Sequence, residues 1–232
     1  LVVGMAASLL QLVSGHSSGV GVAKNQPAKL AAFEGIYETT AHAPLTLFGW
    51  VDEKAEAVRG GVAIPGLLSF LAHNDVSKPV QGLREFKPED RPPVNLSFQF
   101  YHTMVAAGFG MIVVAGLGFL YFWQGSLFQK RWLLWLLALS VLGPQIANEA
   151  GWFAAEVGRQ PWLVYGLLRT PDGLSAVVKA DAVLTAIVLF SLVYLLLFAV
   201  FVYLLNDKIQ HGPDAADLAP TGKLAIPSRK SA

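Results

Sequence analysis

Two glutamates and an arginine interrupt an apolar stretch of the chain, with the spacing of neighbours on one face of a helix. Glu149, Trp152, Glu156 and Arg159 follow one another at intervals of three, four and three residues, so their side chains share one stripe of an α-helix. Ionisable groups in membrane-spanning helices usually face a cavity, a cofactor or another helix. The stripe is therefore a candidate functional site. A Glu156–Arg159 ion pair that only lowers the cost of both charges explains the pattern equally well.

The composition is that of a membrane protein. Of 232 residues, 54% are hydrophobic and 14% are charged, whereas soluble domains average about 25% charged residues. The chain has no cysteine, which excludes disulfides, thiolate-bound metals and iron–sulfur clusters. A net charge of +1 and the lack of a basic run give no indication of nucleic-acid binding.

Three apolar runs are long enough to span a bilayer, which takes about 20 helical residues. They cover roughly residues 98–124, 132–156 and 176–205, and Pro144 predicts a kink in the second run. Residues 1–14 are too few to span and are interpreted as the end of a truncated transmembrane helix that leaves the membrane at the Gly- and Ser-rich residues 14–19. The predicted fold class is all-α, a polytopic transmembrane bundle with one partial span and three full spans.

The remaining segments are assigned to the aqueous phases. Residues 15–96 contain no spanning run and form an extramembrane loop, residues 97–205 hold the three spans, and residues 206–232 form a polar tail. A short apolar stretch at residues 63–72 predicts a surface-lying or buried helix. Lys130 and Arg131, with the basic residues of the tail, favour a cytoplasmic link and C-terminus. The long loop then lies outside, on the same side as residues 157–175.

Two side chains near the start of the first full span are possible iron ligands. Met104 is of a type that most often fills cores, but a thioether also ligates haem iron. His102 is two residues away, about 200° round the helix, so both cannot serve one iron.

In the loop, the motif KLAAFE begins at Lys29 and ends at Glu34. On a helix these two residues lie about 140° apart, so a simple ion pair is not the obvious explanation. A solvated helix face is the usual origin of such charges.

Three segments together resemble subunit I of the cytochrome bd family of quinol:oxygen oxidoreductases. GWFAAEVGRQPW, at residues 151–162, is similar to a signature near the end of that subunit. KLAAFE is similar to the start of the family's quinol-oxidising loop, and the helix around Met104 resembles the one that supplies a methionine ligand to haem. The segments occur in the family's order, and the resemblance covers the C-terminal half of such a subunit.

The resemblance implies roles for the membrane residues. Met104 aligns with the ligand of the low-spin b haem iron, and Glu156 with the ligand of the high-spin b haem iron. Trp152 would lie between haems, and Arg159 near haem propionates. Glu149 is a further candidate for the haem pocket or a proton path, and a simple interhelical hydrogen bond is an equal alternative.

The resemblance also implies a quinol site in the loop, here a short-loop variant. Lys29 and Glu34 match the lysine and glutamate implicated in quinol binding. A quinol needs a base for its protons and a partner for its developing charge, so Glu34 would accept a proton and Lys29 would stabilise the anion. One departure concerns His102, which occupies the position of an arginine in familiar relatives, so that a propionate contact is altered or lost.

The function implied is respiratory. Ubiquinol or menaquinol would be oxidised at the outer loop, and electrons would pass through two b haems and haem d to reduce oxygen to water. The resemblance further implies two partner proteins, subunit II and a small single-span subunit, and a location in the bacterial cytoplasmic (inner) membrane. The family's histidine ligands lie in its N-terminal half, so this segment alone should not turn over. The alternatives are a non-catalytic polytopic protein or transporter whose intramembrane acids bind a cation, and a quinone-binding module without oxygen uptake.

Overall fold

A computed structural model describes residues 1–175 and 177–212 and confirms the all-α, polytopic fold class. Three helical segments are long and apolar enough to cross a membrane: Pro88–Trp123, Arg131–Gly158 and Ala180–His211. The helices are α1 (Val2–Asn25), α2 (Pro27–Glu34), α3 (Leu67–His73), α4 (Val94–Trp123), α5 (Arg131–Leu139), α6 (Leu142–Gly158) and α7 (Ala180–His211). The strands are β1 (Leu45–Asp52), β2 (Ala57–Ile64), β3 (Trp162–Val164) and β4 (Leu168–Arg169).

The last helix belongs to a separate unit that begins at Ser175, and it is described by itself. α7 is mostly apolar up to Leu205 and polar in its last turns, and its side chains are exposed. Part of the predicted polar tail, up to His211, continues this helix, and residues 213–232 lie outside the described residues.

The expected end of the first helix was wrong. Residues 14–19 do not leave the helix, and α1 continues to Asn25. Serine and glycine lower helix propensity without forbidding a helix, and residues 14–19 are an exposed part of α1. The helix ends where Pro27 disfavours helical geometry in the preceding residue, and Gln26 has φ −141°.

The kink predicted from Pro144 is present as a break between α5 and α6 at residues 140–141. Proline lacks the N–H that would reach the carbonyl of Ser140 in a regular helix. The amide of Gly143 donates to that carbonyl instead, at 2.9 Å, which tightens the turn.

Helices α4 and α6 run antiparallel in close contact. A Cβ atom at Gly151 would lie 2.8 Å from the sulfur of Met104, and one at Gly143 would lie 2.8 Å from Cγ of Met111. Small residues thus let the two backbones approach at the level of both methionines.

The loop between α1 and α4 is folded. The short helix predicted at residues 63–72 is confirmed as α3, with Leu68, Ser69 and Ala72 buried. The sequence reading missed the antiparallel hairpin β1–β2, which has Leu45 opposite Ile64 and Asp52 opposite Ala57. A small core joins α2, the hairpin and the start of α4: Ala31, Ala32, Tyr37, Val51, Leu83, Val94 and Phe98.

Candidate functional site

Helix α2 brings Lys29 to the C-terminal end of α6. Its Nζ donates to the backbone carbonyl of Ala155 at 3.1 Å, and a Cβ at Gly158 would lie 3.3 Å from Cγ of Lys29. Burial lowers the pKa of Lys29 from its ordinary value, the charge of Glu156 raises this pKa, and that of Arg159 lowers it. The loop lysine therefore lies in the field of the charged pair on the membrane helix.

Glu34 is enclosed at the end of α2. Its side chain is 1% exposed, and neither carboxyl oxygen has a hydrogen-bond partner in the described part of the chain. Burial raises the pKa of Glu34 from 4.5 to about 8, and the nearby backbone N–H of Thr46 opposes part of this rise without reaching hydrogen-bond geometry. At neutral pH the group is mainly a protonated acid.

Aromatic rings border this end of α2. Phe33 stacks on Tyr101 of α4, with ring centroids 4.6 Å apart. Tyr101 contacts His102 edge to face at 5.4 Å. The surroundings of Glu34 are thus mostly apolar, which accounts for the strong desolvation of its carboxyl group.

His102 connects α4 to the hairpin. One ring nitrogen lies 2.8 Å from the carbonyl oxygen of Phe98, and the other lies 2.7 Å from that of Thr46. The ring also stacks on Phe98 at 3.9 Å. Both ring nitrogens lie within hydrogen-bond distance of backbone carbonyls, which favours a structural role, and a role of His102 at haem stays a prediction.

Met104 lies on the face of α4 that meets α6. Its side chain is half-buried, with its sulfur against Gly151. No side chain separates the thioether from the α6 backbone here.

The charged stripe lies on the other side of α6. Ala154 is buried, and Trp152 and Glu156 are each two residues from it, about 200° round the helix. Trp152 is 57% exposed. Glu149 accepts a hydrogen bond from the side chain of Gln145 at 3.1 Å, the local contact that a purely structural role would give.

Glu156 and Arg159 form an ion pair of 2.5 Å, with side chains 41% and 36% exposed. The pairing anticipated as the simpler explanation is therefore present. It leaves one group unmatched, because Nε of Arg159 is buried without a partner in the described residues.

The side chains of Met104 and Glu156 do not face a common site. Gly151, which contacts Met104, and Glu156 are five residues apart, about 140° round α6. The two side chains can therefore serve different groups on different faces of the bundle.

The chemistry of these residues fits haem. A thioether is a haem-iron ligand, and a carboxylate next to a metal keeps its charge because the metal compensates it. The orphaned Nε of Arg159 lacks an acceptor such as a propionate would provide.

The sequence reading did not find the polar face formed by Asn95 and Gln99, which bonds to β1. Its signal was present, since two amides four residues apart share a helix face.

The family model described as "Cytochrome bd terminal oxidase subunit I" matches residues 1–213. The chain is 33% identical over 224 residues to "Cytochrome bd ubiquinol oxidase subunit 1" of Bacillus subtilis (strain 168), which covers 92% of this chain and 48% of the relative. It is 36% identical over 221 residues to "Putative cytochrome bd menaquinol oxidase subunit I" of the same organism, and this alignment covers 94% of this chain and 48% of the relative.

The fold is also similar to a solved structure. The bd oxidase from Geobacillus thermodenitrificans aligns with a TM-score of 0.72 and 37% identity, covering 90% of this chain and 48% of that chain. The chain thus spans about half the length of the relatives it matches.

Proposed function

Because this chain belongs to the cytochrome bd terminal oxidase subunit I family, we propose that it forms the quinol-oxidising part of a membrane-bound quinol:oxygen oxidoreductase. The observation that carries this proposal is the contact between α2 and α6. Lys29, on the same loop helix as Glu34, donates to the carbonyl that precedes Glu156. A site that takes protons and electrons from quinol would then lie next to a residue that holds haem.

In the proposed reaction Glu34 receives a proton from the quinol, and Lys29 stabilises the negative charge left on the ring oxygen. The raised pKa of Glu34, about 8, means that the carboxyl group holds a proton at neutral pH while it is buried as the structure shows. It becomes a base only after it has released this proton. Glu34 is 1% exposed, so solvent does not reach its carboxyl group, and the stacked rings of Phe33 and Tyr101 lie at the same end of α2.

The proposed haem ligands are Met104 for the low-spin b haem and Glu156 for the high-spin b haem, with Trp152 and Arg159 beside them. Bound haem, two b and one d, supplies the one-electron chemistry that connects quinol oxidation to oxygen reduction. Arg159 balances the charge of Glu156, and its buried Nε–H would donate to a group such as a haem propionate. Glu149 remains a candidate for the same pocket or for a proton path.

The matching family and the three spanning helices place the chain in a bacterial inner membrane. We propose that the loop and the segment after α6 face outward and that the C-terminus faces the cytoplasm. Subunit II, a possible small single-span subunit and lipid are the proposed partners. The names of the relatives include both ubiquinol and menaquinol, and either quinol satisfies this chemistry.

The test is a pair of variants in the complete membrane-embedded oxidase. Glu34→Gln keeps the size of the side chain and removes the base, so quinol oxidation should fall about a hundredfold while haem absorption is unchanged. Glu38→Gln is the matched control, because Glu38 is 72% exposed and pairs with Arg84 at the surface. Full quinol oxidation by Glu34→Gln would contradict the proposal.

A further inference from the structure

The β1–β2 hairpin covers the end of α2 that carries Glu34. The backbone N–H of Thr46, in β1, is near the carboxyl group. A Cβ at Gly35, the next residue along the chain, would lie 2.8 Å from Val58 of β2 and 3.1 Å from Val51 of β1. Both strands therefore lie directly over this position, and the carboxyl group is closed off from solvent.

Side chains of α4 hold β1 in this place through its backbone. The Oδ1 atom of Asn95 accepts a hydrogen bond from the amide of Val51 at 3.2 Å. The Nε2 atom of Gln99 donates to the carbonyl of Gly49 at 2.8 Å. Because the two residues are four apart, they form one polar face at the start of the span, and His102 continues this face one turn further along.

The other face of the hairpin is largely uncovered by the described residues, and only its turn is tied to the rest of the loop, by ion pairs of Glu56 with Arg84 and Arg91. Leu47, Phe48 and Trp50 are exposed in the described residues, and the strand pairing is irregular on both sides of Phe48. A two-stranded hairpin is marginally stable by itself, so it depends on Val51 and Val58, on the contacts with α4 and on the ion pairs of Glu56 in its turn. Side-chain hydrogen bonds to a strand backbone can break and form again without unfolding the helix that supplies them.

We propose that Asn95 and Gln99 are positioning residues for Glu34, holding β1 as a cover that must lift before the carboxyl group exchanges its proton with water or quinol. The exchange with quinol rests on the proposed function, whereas the covering of Glu34 does not. This arrangement gives the buried acid a closed state, in which its proton is retained, and an open state, in which the group is reachable.

The test compares Gln99→Leu with Gln124→Leu in the complete oxidase. Gln124 lies at the opposite end of α4 and is exposed, so the same substitution there leaves the cover intact. The measurement is the rate at which dicyclohexylcarbodiimide modifies Glu34, followed by mass spectrometry of the peptide. Loss of one hydrogen bond should raise the open fraction, and therefore the labelling rate, about fivefold to tenfold in Gln99→Leu. Gln124→Leu should label like the wild type.

Asp90, whose carboxylate pairs with Arg169 of the segment after α6, is the internal reference for general unfolding. Equal labelling of Glu34 in all three proteins would overturn the proposal, as would a rise at Glu34 and Asp90 together. If Glu34 labels faster while Glu34→Gln still oxidises quinol normally, the cover stands and the quinol function fails. If Glu34→Gln is inactive but labelling does not respond to Gln99→Leu, the function stands and the cover fails.

Amide hydrogen exchange of the wild-type oxidase gives a second measurement that needs no variant. The proposal expects the amides of β1 and β2 to exchange together and faster than those of α4 at the same depth. Equal protection of β1 and α4 would show that the hairpin does not open separately, and would overturn the proposal even if Gln99→Leu failed to assemble.

Discussion

The ammonium group of Lys29 donates to the backbone carbonyl of Ala155 at 3.1 Å. The last carbonyls of a helix lack intrahelical partners, and a cation at this end also interacts favourably with the helix dipole. Lys29 is thus a cap for α6 as well as a candidate for quinol binding. The contact ties the position of α2, and with it that of Glu34, to the turn that carries Glu156.

Replacing Lys29 should separate the capping role from its charge. Lys29→Met keeps the apolar stem but leaves the Ala155 carbonyl without its donor, at a cost of about 1–3 kcal/mol. Lys29→Arg keeps both a donor and the charge. We expect a lower thermal midpoint and a raised KM for quinol in Lys29→Met, and a smaller change in both in Lys29→Arg. Equal midpoints for Lys29→Met and the wild type would show that the cap contributes nothing to stability.

Glu34 should make stability depend on pH. Its pKa is raised from 4.5 to about 8 in the folded chain, so between these values the folded state holds a proton that the unfolded state has lost. The stabilisation is complete below about pH 4.5 and declines by about 1.4 kcal/mol per pH unit until about pH 8. We therefore expect the thermal midpoint of the wild type to fall across this range relative to Glu34→Gln.

The control for this titration is Glu38→Gln, which should reproduce the pH dependence of the wild type because Glu38 is exposed. Parallel curves for Glu34→Gln and the wild type would mean that the carboxyl group is solvated or paired in the complete oxidase.

The sequence predicted the spans well because crossing a bilayer requires long apolar helices. The break at Pro144 was also predictable, because a proline in the interior of a helix removes a backbone hydrogen bond. It failed where a local composition signal was too weak and where distant contacts decide. Residues 14–19 remain helical although they are exposed, because glycine and serine lower helix propensity without forbidding a helix. The β1–β2 hairpin was missed because the hydrogen bonds that hold it come partly from Asn95 and Gln99, more than 40 residues later in the chain. The motif KLAAFE indicated Lys29 and Glu34, but not that one caps a helix and the other is buried.

The contact between Gly151 and Met104 offers a test of the proposed haem ligand. A Cβ at residue 151 would meet the sulfur of Met104 at 2.8 Å, and this flexible end of the side chain can move aside. Gly151→Ala should therefore fold but displace the thioether, which changes the absorption of the low-spin b haem in the reduced-minus-oxidised spectrum. Met104→Leu should change the same band.

Gly108→Ala, on α4, is the matched control, because no atom lies within 4 Å of a Cβ at that position. Its spectrum should equal that of the wild type. An unchanged low-spin band in Met104→Leu would remove Met104 from the ligand set.

The segment after α6 is attached to the loop through Asp90 and Arg169. Their ion pair measures 2.5 Å, with side chains 23% and 35% exposed, and the guanidinium also lies over the ring of Trp162 at 5.0 Å. The cation–π contact restricts the Arg169 side chain. The ion pair should therefore contribute about 1 kcal/mol, more than a typical exposed pair. A double-mutant cycle of Asp90→Asn and Arg169→Gln, read by thermal unfolding of the oxidase, measures this coupling. Strict additivity of the two single changes would show that the pair does not hold the loop against the segment after α6.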